Sequence, residues 1–238
     1  MKREKTMSGE RMTIKTLDGD FSAYIARPAA DSAPVVVVIQ EIFGVNKVMR
    51  DIADDYAAKG YIAVCPDLFW RIEPGIDITD QSEAEWKRAF ELFNAFNVDT
   101  GIEDIAATID QVRGLPGSNG KVGAVGYCLG GLLAFLTGTR TDADAVVGYY
   151  GVGIEKHVGE AEKLVNPVML HIAGEDGFMP KEAQALVHQA LDNHPLITLH
   201  DYPGRDHAFA RHGGEHYNGP DAEAANARTF AFFDKALR

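Results

Sequence analysis

The sequence predicts an α/β fold, a mainly parallel central sheet covered by helices on both faces. Short, uniformly apolar runs such as VVVVIQ (35–40) and YIAVC (61–65) suit strands buried on both sides. Segments with helical spacing alternate with these runs along the chain, as a parallel sheet with crossover helices requires. No repeat, low-complexity linker or break in composition divides the 238 residues. The length suits one domain over 1–238 with ample material for a core.

The elements follow in order. Residues 1–12 read as a loose polar lead. Residues 13–27 alternate and are interrupted by Asp18-Gly19-Asp20, a hairpin signal. Pro34 introduces the 35–40 strand. Met49, Ile52, Ala53, Tyr56 and Ala57 share one helical face over 46–59, which Gly60 closes. The 61–65 strand stops at Pro66, and an irregular crossing with Trp70, Pro74 and Gly75 follows. Asp80 caps a helix with Glu83 three residues on, and Trp86, Phe90 and Phe93 line one face of it, at a spacing more often found in cores than in pockets. Ile102, Ile105, Ile109 and Val112 mark the next helix. A strand runs into Cys128, and a helix follows over 132–139. Further strands are expected near 145–150, 167–173 and 196–202. Pro180 opens a helix through about residue 193, and a last helix covers 221–237.

The formal charge is −12. Such a balance speaks against nucleic acid and anionic membrane surfaces as partners, and it repels anionic small molecules unless a pocket carries its own cation. The two cysteines, Cys65 and Cys128, have no C-x-x-C neighbour, so a structural zinc site or a thioredoxin-type pair is not expected. Their mutual disulfide would consume the candidate nucleophile. The start MKREKTMSGERM lacks the apolar core of a signal peptide, and no apolar stretch reaches membrane-spanning length. The expectation is a reduced, cytoplasmic protein acting on a small molecule.

The string KVGAVGYCLGG carries the chemistry. Strand-forming residues run into Gly126-Tyr127-Cys128-Leu129-Gly130, and an apolar helical run follows. This is the strand–turn–helix setting of a nucleophile elbow, with a thiol in the nucleophile's place. Small residues two positions either side let strand and helix pass closely, and the helix N-terminus leaves N–H groups free for an oxyanion. A thiol nucleophile needs a base and an orienting acid. In α/β-hydrolase order these come as acid and then histidine, each after a strand. GEDG (174–177) follows one predicted strand, and GRDHAF (204–209) follows the next. His207 is the candidate base. Asp176 is preferred over its neighbour Glu175 as the acid, because its shorter side chain grips the imidazole more firmly. Asp206 is expected to point away from the ring. Glu41, in QEIFG after the first buried strand, is costly to bury alone. It either caps the 46–59 helix or lies beside the thiol at hydrogen-bond distance, about 3.0–3.5 Å, and keeps it protonated until substrate arrives.

QEIFGVN (40–46), CPDLF (65–69), SNGKVGAVGYCLGG (118–131), GYYGVG (148–153), GEDGFMP (174–180) and DHAFAR (206–211) together resemble the dienelactone hydrolase family, also called carboxymethylenebutenolidases. The similarity runs from about residue 13 to the end. It implies the α/β-hydrolase fold, a Cys–His–Asp triad at Cys128, His207 and Asp176, and Glu41 paired with the resting thiol. It also implies an oxyanion site at the N–H groups of Leu129 and Ile42, and no metal or organic cofactor. The implied reaction opens an unsaturated lactone to maleylacetate, as in chlorocatechol degradation.

The substrate pocket departs from the family pattern. Of two arginines expected to hold the substrate carboxylate, one maps to Arg211, while the other position holds Trp86, and the resemblance makes these two the substrate-binding candidates. Phe90 replaces an expected tyrosine and Ala208 an expected serine, with Arg71 and Arg88 as possible substitutes nearby. A more apolar ester or lactone is therefore an alternative substrate, and a non-catalytic thiol sensor is an alternative of another class. His212, Glu215 and His216 mimic a zinc motif, but Gly213-Gly214 opposes the helix it needs. The Cys128 turn lacks dinucleotide G-x-G-x-x-G spacing, and Cys65 reads as packing.

Overall fold

The computed structural model describes residues 9–238. Its eight strands are β1 (Glu10–Lys15), β2 (Asp20–Ala26), β3 (Ala33–Ile39), β4 (Ile62–Pro66), β5 (Ser118–Tyr127), β6 (Ala145–Tyr149), β7 (Val168–Ala173) and β8 (Ile197–Tyr202). They form one sheet in the order β1-β2-β4-β3-β5-β6-β7-β8. β2 pairs antiparallel with β1 and β4, and every other pairing is parallel. All residues of β3, β4, β6 and β7 are buried, as their apolar runs require.

The helices are α1 (Lys47–Ala58), α2 (Glu83–Ala95), α3 (Val98–Arg113), α4 (Leu129–Arg140), α5 (Lys181–Leu191) and α6 (Gly219–Leu237). Leu129 through Thr139 are all buried. That explains why α4 is apolar all round, whereas α1 shows one apolar face. Asn46 caps α1 by accepting from the Met49 N–H at 3.1 Å, so Glu41 is not its cap.

Two expected boundaries move. β1 begins at Glu10, inside the expected loose lead, because pairing with β2 and burial of Ile14 order it. Residues 1–8 of that lead lie outside the described residues. The α2 cap is Ser82, with Glu85 as its reciprocal partner, rather than Asp80 with Glu83. The Asp80 side chain is drawn to Arg211 instead.

The topology places the site. The chain leaves β3 for β4 on one side and later returns as β5 on the other. The crossovers diverge there, and the crevice at the strand C-termini is where such sheets bind ligands. Glu41 follows β3, Cys128 follows β5, Asp176 follows β7 and His207 follows β8. Among the described residues, no helix is long and apolar enough to cross a membrane.

Candidate active site

Cys128 occupies the tight turn between β5 and α4 with φ 58° and ψ −117°. A non-glycine residue with positive φ stores strain, which persists only where the surroundings enforce it. Here the Cys128 N–H donates to the Tyr149 carbonyl at 3.1 Å, and its own carbonyl accepts from Gly131 at 2.9 Å. The flanking glycines are obligatory. A Cβ on Gly126 would fall onto the Gly130 carbonyl, and one on Gly130 onto the Ile39 carbonyl. Leu129 opens α4, so its N–H has no intrahelical partner. Among the described residues the Ile42 N–H also donates no hydrogen bond.

His207 and Asp176 are both buried and joined by a 2.9 Å contact between Nδ1 and Oδ2. The other Asp176 oxygen accepts from the Phe178 N–H at 2.8 Å, which fixes the carboxylate. Glu175 turns outward to Lys181 at 2.9 Å. Asp206 accepts from the backbone N–H groups of His207 and Gly177 at 2.6 and 3.1 Å, shaping the loop without facing the ring nitrogens. His207 Nε2 is buried and makes no hydrogen bond among the described residues. Burial opposes the imidazolium, but negative charge on Cys128 and the bond to Asp176 outweigh it and raise His207 to about 10.

Glu41 does not meet the thiol. Its Oε2 accepts from Arg211 Nη1 at 3.2 Å, and no Glu41–Cys128 hydrogen bond exists among the described residues. A buried carboxylate gains far more from a guanidinium than from a weak thiol donor. Arg211 Nη2 lies 2.8 Å from Asp80 Oδ2, and the guanidinium covers the Phe43 ring at 5.3 Å. Burial works against the Arg211 charge, and the two carboxylates overcome it and hold the group cationic.

Cys128, His207, Arg211, Ile42 and Trp86 line one narrow cleft of about 50 Å³, walled also by Phe43, Phe90, Phe93, Val152 and Phe178. Trp86, Phe90 and Phe93 all wall the cleft, where the family comparison puts Trp86, because α2 turns this face toward the crevice, and Trp86 and Phe93 also pack against the core. Trp86 stacks on Phe90 at 5.6 Å and donates its Nε1–H to the Asp80 carbonyl at 2.9 Å. A wider depression of about 480 Å³ shares Trp86, Phe178, His207 and Arg211.

The family model for dienelactone hydrolases matches residues 21–237. The chain belongs to the dienelactone hydrolase family. The carboxymethylenebutenolidase of Pseudomonas putida is 41% identical over 227 residues, covering 95% of this chain and 96% of that protein. A relative from Azospirillum brasilense is 50% identical over 224 residues, covering 92% of this chain and 95% of its own. The Anabaena variabilis dienelactone hydrolase structure superposes with a TM-score of 0.71 at 17% identity, covering 98% of this chain and 99% of that one; this likeness shows the fold alone. The α/β-hydrolase fold and a hydrolase acting on lactone or ester bonds follow.

Three features of this family member escaped sequence reading. Tyr150 and Ala208, with φ of 38° and 62°, are the other non-glycine residues of positive φ among the described residues. Tyr150 packs its ring edge against His207 at 5.1 Å, and Ala208 directly follows His207. Strain thus gathers where the candidate nucleophile and base meet, a pattern common at active sites. Phe178 covers the imidazole at 4.9 Å. The GYYGVG and GEDGFMP strings contained Tyr150 and Phe178, yet nothing local marked either side chain. Asp80, the third feature, looked like a helix cap.

The substitutes and mimics are occupied elsewhere. Arg71 binds Asp104 and Asp18, and Arg88 binds Glu73 and Glu91. His212 packs on Tyr217, while His216 lies 3.8 Å from Asp206. Among the described residues no three His, Cys, Asp or Glu groups converge as a metal site. Both cysteines are free, and Cys65 is wholly buried in β4.

Proposed function

We propose that this family member opens an unsaturated lactone or ester by acyl transfer through Cys128, the bond chemistry of its carboxymethylenebutenolidase relatives. The support is a single arrangement. His207, held by Asp176 at 2.9 Å, keeps Nε2 free of any other partner in the cleft where Cys128, on a strained turn, raises the imidazole's value.

His207 Nε2 holds the proton that has left Cys128, in keeping with its raised value, and the thiolate attacks the carbonyl carbon. The S–C bond forms as the carbonyl π pair moves to oxygen. The N–H groups of Leu129 and Ile42 hold that oxyanion, each worth about 3 kcal/mol in comparable sites. Collapse breaks the C–O bond, and His207 returns its proton to the leaving enolate oxygen, whose enol becomes a ketone. The acyl group remains on Cys128 as a thioester. Water then attacks, giving one proton to His207, and the thiol leaves with release of the carboxylic acid. Asp176 holds the imidazole in the tautomer this exchange requires. Glu41 keeps one buried oxygen unpaired while the other holds Arg211, and that unpaired oxygen is a second acceptor for the thiol proton. Every step uses the chain's own groups and water.

The test is lactone opening followed by ultraviolet absorbance, together with intact-protein mass after rapid acid quench. Wild type is expected to turn over and to show an acyl adduct, and Cys128→Ala to lose both. Turnover by Cys128→Ala at the wild-type rate would sink the proposal.

A further inference from the structure

Arg211 already holds two carboxylates, which claim two of its five N–H groups. Nη1 meets Glu41 at 3.2 Å and Nη2 meets Asp80 at 2.8 Å. The remaining Nε is buried without a partner, and a Cβ on Gly214 would lie only 2.9 Å from it, so backbone closes that edge. One face of the guanidinium covers Phe43. One cation therefore faces two anions, and the cluster is net negative before any ligand arrives.

Asp80 is not a casual occupant. Its Oδ1 accepts from Gln81 Nε2 at 2.5 Å while Oδ2 holds Arg211. Its carbonyl accepts from Trp86 Nε1 at 2.9 Å, and Ser82 caps α2 two residues later. Displacing it would expose a buried guanidinium edge and disturb a capped helix start. Trp86 spends its only polar atom on this contact and turns an apolar face to the cleft. From there Phe90 and Phe178 continue an aromatic panel to the His207 ring, with centroid steps of 5.6, 6.4 and 4.9 Å. A carboxylate entering this space would lose its water and face the two like charges that already share the guanidinium. An uncharged apolar group would lose nothing polar and gain contact with the panel.

We propose that Asp80 fills, from within the chain, the carboxylate place on Arg211, so that the cleft selects neutral, apolar lactones or esters over those bearing a carboxylate. This rests on the acyl-transfer reading of the same cleft. Asp80 is the specificity-determining residue, and Trp86 forms the wall it orients.

The test measures binding, not turnover, so that it stands apart from the catalytic proposal. Cys128→Ala protein is titrated calorimetrically with two ligands. One is the carboxymethylene-substituted unsaturated lactone, and the other carries an isopropyl group in place of its carboxylate. The isopropyl lactone is expected to bind at least about tenfold tighter. Adding Asp80→Asn, which keeps shape and removes charge, is expected to shrink that ratio at least about tenfold, with Asp80→Ser as the second variant. Tighter binding of the carboxylate lactone by Cys128→Ala overturns the proposal. So do equal affinities, binding of neither, or a ratio that both Asp80 variants leave unchanged. Failure of the catalytic reading is seen separately, as turnover that survives Cys128→Ala.

Discussion

At His207, a histidine buried beside two negative partners takes its proton more readily in the folded chain than in the unfolded one. Its value rises from 6.5 to about 10. The sign of the pH effect follows directly. A raised value contributes stability fully below the unfolded value and loses it as pH climbs through the folded one. The window therefore runs from about 6.5 to about 10. Wild type is expected to melt progressively lower across that window, and His207→Gln to show a flatter curve, as calorimetry at several pH values will measure. Equal slopes would mean that the imidazolium is not held by its surroundings. At this scale the sequence was readable where function depends on residue type and order. The thiol between glycines, the histidine after a strand and the short carboxylate before it all stood in view. Glu41 was not readable, because its choice between thiol and guanidinium depends on a partner 170 positions away.

The β5–turn–α4 unit carries the nucleophile by sheer closeness of backbone. A Cβ on Gly126 would land on the Gly130 carbonyl, so neither strand nor helix has room to yield. Gly126→Ala is expected to destabilise by more than about 3 kcal/mol or to prevent folding, as read by denaturant titration. A loss below about 1 kcal/mol would show that the turn relaxes and is not the tight support described. The elements themselves were largely legible, since buried strands announce themselves as unbroken apolar runs and helices by their spacing. The misreadings sit at ends and faces. The expected cap at Asp80 yielded to Ser82, because a carboxylate beside a buried guanidinium gains more there than at a helix N-terminus. The Trp86, Phe90 and Phe93 stripe has a periodicity that fits core as well as pocket; the family resemblance pointed to the pocket for Trp86, and the placement of α2 over the crevice makes the whole stripe a wall.

Across the whole molecule, a charge of −12 acts on anything that approaches the crevice. The outer depression adds Asp80, Asp206 and Glu215 at its rim. For a carboxylate-bearing lactone, kcat/KM is expected to rise about threefold between low and physiological ionic strength, while the isopropyl analogue stays flat. Stopped-flow rates at graded salt will measure this, and a fall with salt for the anionic lactone would contradict it. Residue order along the chain already dictated an alternating α/β architecture and put the candidate nucleophile, acid and base on successive loops. Such features arise from local periodicity and turn chemistry, which neighbouring residues encode. Packing alone decided that Tyr150 and Ala208 carry strain and that Arg211 is claimed by Glu41 and Asp80. Those outcomes are contests for a shared partner between segments far apart in the chain, and they are won on distance, burial and charge once the sheet has brought the loops together.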